Sequence, residues 1–152
     1  MKIKVEDIKK LREETAVSIA DCRKALEESV GDFKKAKELL RSWGIDKAAK
    51  KADRVVGAGL VDTYIHAGGK VASMVEVNCE TDFVAKTDEF KNLAHEIAMQ
   101  VSAMDPKDVE ELLVQEYIRD SSKTIDDLVK EAIAKLGENI KVSRFMRFEL
   151  GQ

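Results

Sequence analysis

The chain has few of the residues that interrupt helices, stabilise small secreted folds or cross membranes. A single proline and 5% aromatic residues among 152 favour a helix-rich fold. Two cysteines, Cys22 and Cys79, are too few for a disulfide framework and lack zinc-site spacing, which predicts reduced thiols. No apolar run approaches the roughly 18 residues of a membrane span, and residues 1–4 do not lead into a signal-peptide core. We therefore expect a cytoplasmic protein without a membrane partner.

The chain also has no large excess of positive or negative charge. The 26 basic and 29 acidic residues give a net charge of −3, which offers no general argument for binding nucleic acid. One basic, alanine-rich stretch at residues 47–54 could contact phosphates, although such runs are more often solvated linkers. We expect a helical linker there and no direct contact with nucleic acid.

Groups that carry out chemistry are scarce. The two histidines are His66, at a predicted hairpin tip, and His95, on a predicted helix. No serine or cysteine stands in a nucleophile motif, and no stretch has the pattern of a phosphate-binding loop. Glu80 and Asp82 flank a predicted helix start, where carboxylates commonly complement the helix dipole and bind no metal. The pattern predicts a protein that is not an enzyme and needs no metal or cofactor.

Residues 1–45 are predicted to form a module of three short helices. Ser18, with Asp21 three residues later, is a variant of the capping box for the second helix. Asp32 is the predicted cap of the third helix, and Gly44 its predicted end. A bundle of this size is near the lower limit for independent stability and has no cleft for catalysis, which favours a binding module.

Residues 46–54 are the predicted basic helical linker, and residues 55–152 are predicted to form an α+β core. Alternating apolar residues predict strands at 55–65 and 71–79, joined by a hairpin turn. Ile140, Val142, Met146 and Phe148 alternate with polar residues in a predicted third strand.

Helical periodicity predicts three helices between the second and third strands. Thr87 caps the first helix, the second runs from about Val109 to Tyr117, and Thr124 caps the third. Residues 119–123 are a predicted polar loop. The expected result is a three-stranded antiparallel sheet with helices on one face. The other face could pair with a second copy of the chain or be covered by the N-terminal module or a loop.

The stretch at residues 80–86 joins a predicted strand to a predicted helix through a tight corner. Thr81 is a suitable N-cap, and Asp82 falls in the first helical turn. Phe83 and Val84 follow on the corner itself. A rigid corner can present a large apolar side chain to a partner, but burial in the core is the more usual fate of a phenylalanine.

Residues 75–86, with Thr-Asp-Phe-Val at their centre, resemble the signature of the translation elongation factor Ts family. The resemblance extends over nearly the whole chain, through residues 11–15, 21–26, 47–52, 137–140 and 144–145. The chain departs from the family at residues 16–20, where members usually have a Gly-x-Gly-Met-Met-like turn that contacts the partner. It also has one copy of the core subdomain, as in the short form that works as a homodimer.

This resemblance implies an N-terminal bundle of UBA-like form and a guanine nucleotide exchange factor for elongation factor Tu. Thr81, Asp82, Phe83 and Val84 would bind the GTPase domain, with Phe83 inserted between two of its helices, and would thereby dislocate the nucleotide's Mg²⁺. Phe83 would then be exposed, in contrast to the expectation from its chemistry alone.

Four residues of the N-terminal module are implied as secondary contacts with the same partner: Arg12, Val17, Ile19 and Asp21. The resemblance also favours self-pairing of the open sheet face. The alternative is a helical scaffold or RNA-binding protein without exchange activity, whose binding would depend on the basic stretch at residues 47–54 and on salt.

Overall fold

Three helices precede a mixed region of strands and helices in the computed structural model, which describes residues 3–152. The elements are α1 (Val5–Thr15), α2 (Ile19–Glu28), α3 (Phe33–Lys51), β1 (Ala58–Ile65), β2 (Val71–Cys79), α4 (Asp82–Ala85), α5 (Asp88–Met104), α6 (Val109–Val114), β3 (Glu116–Tyr117), β4 (Asp120–Thr124), α7 (Ile125–Leu136) and β5 (Ile140–Glu149). The α+β fold is as predicted, with a three-stranded antiparallel sheet in the order β1-β2-β5.

Side-chain hydrogen bonds cap α2 and α3 at the residues that the sequence predicts. The Ser18 hydroxyl accepts the Asp21 N–H at 3.1 Å, and the Asp32 carboxylate accepts the N–H groups of Lys34 and Lys35. The three helices then enclose a small core of their own, formed by Leu11, Cys22, Ala25, Leu26, Ala36 and Leu40.

Gly44 does not end α3, so the predicted break at this position is wrong. The helix continues through residues 46–51, and residues 52–54 form a turn. Gly44 is buried where α3 crosses α7, and a Cβ at this position would lie 3.2 Å from the Cβ of Ala134. Glycine therefore permits a close approach of two helices. Beside this crossing, the Arg41 guanidinium donates to the Asp127 carboxylate at 2.6 Å.

The core sheet packs its inner face against α5. Val75, Val77 and Cys79 of β2 are buried. They belong to one cluster with the inward residues of α5, all at the predicted helical spacing: Phe90, Leu93, Ala94, Ile97, Ala98 and Val101. β1 begins at Ala58, three residues after the predicted start.

A β-bulge in β5 changes which side chains face the helices. Val142 pairs with Val77 and Arg144 pairs with Glu76, which leaves Ser143 as an extra residue. Side chains after the bulge therefore point to the opposite face from the one that simple alternation predicts. Ile140 and Val142 are buried against the helices, whereas Met146 and Phe148 are 53% and 67% exposed on the other face.

Two elements between α5 and α7 also differ from the prediction. The helix that was expected to reach Tyr117 ends at Val114, and Tyr117 lies in β3. The predicted polar loop contains β4, which pairs with β3 in a small hairpin. Buried Gln100 of α5 holds this hairpin, since its side chain donates to the Glu116 carbonyl at 3.0 Å and accepts the Ile118 N–H at 3.1 Å.

Candidate partner-binding corner

The packing of the single-turn helix α4 against the core determines which corner residues are exposed to solvent. Ala85 is buried, and Val84 is half-buried against the main core. Because successive helical residues are about 100° apart, two adjacent inward positions leave Asp82 and Phe83 on the outside. Both are exposed, and the Phe83 side chain reaches 88% exposure. The corner thus presents an aromatic ring beside a carboxylate, with an apolar flank that is anchored in the core.

Thr81 is held through each of its polar groups. Its hydroxyl accepts the Val84 N–H at 3.4 Å, which is the predicted N-cap. Its N–H donates to Glu138 Oε1 at 3.0 Å, and its hydroxyl donates to Glu138 Oε2 at 2.9 Å. The Cys79 thiol donates to the Thr81 carbonyl at 3.2 Å. Thr81 therefore connects the end of β2, the start of α4 and the turn before β5.

The protonation state of Cys79 suits this contact. Burial raises the pKa of the Cys79 thiol, and the nearby Glu138 charge raises this pKa further. A thiol in this setting keeps its proton at neutral pH, and only the protonated form can donate to the Thr81 carbonyl. The group acts here as a structural donor and not as a nucleophile.

The four predicted secondary residues differ in how far they are available to a partner. Arg12 is exposed on α1, and Ile19 at the start of α2 is 56% exposed. Val17 is half-buried and packs on the N-terminal core. The Asp21 carboxylate is already bound by the Lys47 ammonium at 2.8 Å.

The environment of Asp21 also favours its ionised form. The hydrogen bond from Lys47, followed by that from the Ser18 hydroxyl, lowers the pKa of Asp21.

Ala16, in the segment that departs from the family pattern, has φ of 53° and lies in the left-handed region that glycine adopts most easily.

The side chains that could bind a metal are dispersed over the described part of the chain. Within residues 3–152, no three side chains of His, Cys, Asp or Glu are grouped as a metal site would require. A groove of about 480 Å³ lies between α3, α5 and α7, but neither His66 nor His95 lines it. None of the helices described is long and apolar enough to cross a membrane.

Known proteins resemble this chain over nearly its full length. The family model described as Elongation factor TS matches residues 80–152, which include the whole corner. Elongation factor Ts of Thermoanaerobacter sp. (strain X514) is 45% identical, over 99% of this chain and 96% of the relative. That of Coprothermobacter proteolyticus is 43% identical over 100% of both chains. This chain belongs to the elongation factor Ts family. It is accordingly a translation elongation factor.

The alignments also show how this chain differs in length from its relatives. The two alignments span 195 and 197 positions, against 152 residues in this chain, so these relatives contain segments without a counterpart here. Elongation factor Ts of Nostoc sp. (strain PCC 7120) is 50% identical over 94% of this chain, which corresponds to 45% of the relative.

Glu138 binds the corner through Thr81, and no sequence pattern predicts this contact. It lies 57 positions from Thr81 in the chain, within the stretch at residues 137–140 that resembles the family. Local patterns do not reveal that a carboxylate in the α7–β5 turn reaches Thr81. The antiparallel pairing of β2 with β5 brings the two together.

Proposed function

We propose that this chain is a guanine nucleotide exchange factor for elongation factor Tu and that Phe83 is its principal contact. The observation that supports this proposal is the 88% exposure of a phenylalanine on a helix whose other apolar residues are anchored. Leaving such a ring in water is unfavourable, since burial of a phenylalanine contributes about 1.5–3 kcal/mol. A binding partner that covers the ring would recover this free energy.

The exchange reaction requires binding and no covalent chemistry. A factor that binds the nucleotide-free GTPase more tightly than the GDP-bound form must, by thermodynamic linkage, weaken GDP binding by the same factor. The proposed insertion of Phe83 between two helices of the GTPase domain would displace the groups that hold Mg²⁺. Loss of the ion would remove positive charge from the phosphates and promote GDP release.

The remaining corner residues have distinct proposed roles. Thr81 fixes the start of α4, Asp82 offers an exposed carboxylate for polar contacts, and Val84 supports the ring from its half-buried position. A well-packed aromatic anchor of this kind contributes about 2–4 kcal/mol to a protein interface.

The N-terminal module supplies the proposed second contact. Exposed Arg12 and Ile19 are the residues that can touch elongation factor Tu directly. Val17 and Asp21, which are engaged within the module, would shape the turn that presents them. We retain the division into a module at 1–45, a linker at 46–54 and a core at 55–152 as part of this proposal, with α3 crossing the first boundary.

The open face of the sheet is the proposed homodimer interface. Its exposed apolar side chains come from all three strands: Val61, Ile65, Met74, Met146 and Phe148. Exposed apolar groups gathered on one surface are typical of an interaction site, and a symmetric pair of such faces would cover both.

Nucleotide release tests the proposed function. Elongation factor Tu loaded with a fluorescent GDP is mixed with excess unlabelled GDP, with and without this protein, in a stopped-flow instrument. Faster release in the presence of the protein is the expected result. A release rate that stays the same up to saturating protein would contradict the proposal. Binding that depends on salt and on the basic stretch at residues 47–54 would then favour the scaffold alternative.

A further inference from the structure

Beyond the last backbone pair of β2 and β5, two side chains continue the connection between the strands. Cys79 pairs with Ile140 at the end of the ladder. The Thr81 N–H then donates to the Glu138 side chain at 3.0 Å, and the Asn139 N–H donates to the Glu80 side chain at 2.8 Å. Each segment thus offers a backbone donor to a carboxylate of the other. We call this reciprocal arrangement of Glu80, Thr81, Glu138 and Asn139 the clasp.

The clasp holds the N-terminal end of α4, directly before Phe83. A helix of one turn is unstable in isolation, so its direction depends on how its ends are held. At the C-terminal end, the Thr87 hydroxyl donates to the Val84 carbonyl at 2.7 Å. At the N-terminal end, Glu138 binds the N–H and the hydroxyl of Thr81 with its two oxygens. Loss of Glu138 would release both Thr81 donors at once.

A third connection joins the clasp to the end of α3. Asn139 is 2% exposed, and its side-chain amide donates to the Ala52 carbonyl at 3.3 Å and to the Arg54 carbonyl at 2.8 Å. Arg54 also approaches Glu80, with 3.5 Å between Nη1 and Oε1. The segment that leaves the N-terminal module is therefore bonded to the same turn that holds the Phe83 corner.

We propose that Glu80, Glu138 and Asn139 are positioning residues that set the exchange activity by holding the Phe83 corner in its binding orientation. This inference rests on the proposed exchange function. A corner that is already ordered loses less conformational entropy on binding than a mobile one, so the clasp raises the affinity of Phe83 for its site without touching the partner.

Glu138 allows a graded test of this role. Glu138→Ala removes both acceptors, while Glu138→Gln keeps one carbonyl oxygen for the Thr81 N–H and loses the charge. Glu110→Ala is the matched control, because Glu110 is an exposed glutamate on α6, outside the corner. The full-length variants are compared in the release of fluorescent GDP from elongation factor Tu at a subsaturating concentration.

The expected result is a release rate that is about fivefold slower for Glu138→Ala, intermediate for Glu138→Gln and unchanged for Glu110→Ala. If Glu138 acts through Phe83, Glu138→Ala has no further effect in a Phe83→Ala background, and the two substitutions are non-additive. Amide hydrogen exchange should show faster exchange at Thr81 with unchanged protection in β2. Should Glu138→Ala fail to fold, the Glu138→Gln rate and its dependence on Phe83 give the same test.

Two outcomes would overturn the inference. One is a Glu138→Ala or Glu138→Gln rate equal to that of the parent protein while Phe83→Ala slows release. The other is a full additional effect of the Glu138 substitution in the Phe83→Ala background. An unchanged rate for Phe83→Ala itself would instead overturn the proposed function, so the two failures are distinguishable.

Discussion

Val30 has a backbone conformation that its side chain disfavours. It lies in the turn between α2 and α3 with φ of 55°, and Gly31 follows with φ of 83°. A left-handed conformation is uncommon for any residue with a Cβ and is a genuine outlier for a β-branched one. The Val30 side chain is 69% exposed, so little packing offsets this cost.

We expect Val30→Gly to raise the free energy of unfolding by about 1 kcal/mol, because relief of the strained φ exceeds the added entropy of the unfolded chain. Urea denaturation followed by circular dichroism measures the change. Val114→Gly is the matched control, since Val114 is 73% exposed but helical, and it should be destabilising. A loss of stability in Val30→Gly would show that the strain is not significant.

The exposure of Phe83 could not be predicted from its residue type. The chemistry of phenylalanine alone favours burial of this ring, whereas the family resemblance favours exposure, and the structure has it exposed. The decisive factor is that Val84 and Ala85 take the two inward positions of α4. Four residues are too few for a periodic pattern to show this in advance.

At the scale of elements, Asp127 connects the start of α7 to α3. It accepts the Thr124 N–H at 3.0 Å in a capping box and the Arg41 guanidinium at 2.6 Å. Burial on its own would raise the pKa of Asp127, but the Thr124 N–H and the Arg41 charge outweigh it, so the pKa lies below its usual value. The folded protein therefore favours the ionised carboxylate.

The stabilisation from Asp127 should be present at neutral pH and be lost as the pH falls below the usual value of about 4 toward the lower folded pKa. We expect Asp127→Asn to lower the free energy of unfolding by about 1 kcal/mol at pH 7 and by much less at pH 3. Denaturation at both pH values measures this. Asp126→Asn, on the same helical turn, is the control. An equal loss for Asp127→Asn at both pH values would exclude a role for its ionisation.

The elements that the sequence predicts well are those determined by neighbours in the chain. The caps at Ser18, Asp32, Thr87 and Thr124 each depend on a residue two or three positions away, and all four are present. The effect of Gly44 on α3 is not predicted correctly, because this glycine packs against Ala134, which is 90 positions distant. The β5 bulge and the β3–β4 hairpin likewise depend on pairing partners that no local pattern specifies.

At the scale of the whole molecule, the open sheet face has a polar end and an apolar end. The Arg144 guanidinium donates to Glu76 at 2.6 Å at the polar end. Met74, Met146 and Phe148 occupy the other end, where they line a shallow groove of about 210 Å³. The bulge at Ser143 is responsible for this arrangement, because it turns Met146 and Phe148 away from the core.

The proposed dimer predicts a mass of about twice 17.0 kDa in sedimentation velocity at micromolar concentration. Phe148→Glu should convert the protein to a monomer without unfolding it, since a charge in an apolar interface is costly while Phe148 is exposed in the single chain. Val114→Glu, which adds the same charge at an exposed apolar position outside the sheet, should leave the dimer intact. A parent protein that sediments as a monomer would rule out this interface.

The proposed exchange function depends on the exposed ring of Phe83, and the rate of GDP release from elongation factor Tu measures this dependence. Phe83→Ala should leave the circular dichroism spectrum and thermal stability unchanged, because the ring contributes little to the core. It should slow factor-promoted release at least about tenfold, equivalent to ~1.4 kcal/mol, whereas Val114→Ala should match the parent protein. A Phe83→Ala variant that promotes release at the parent rate would contradict the proposed function.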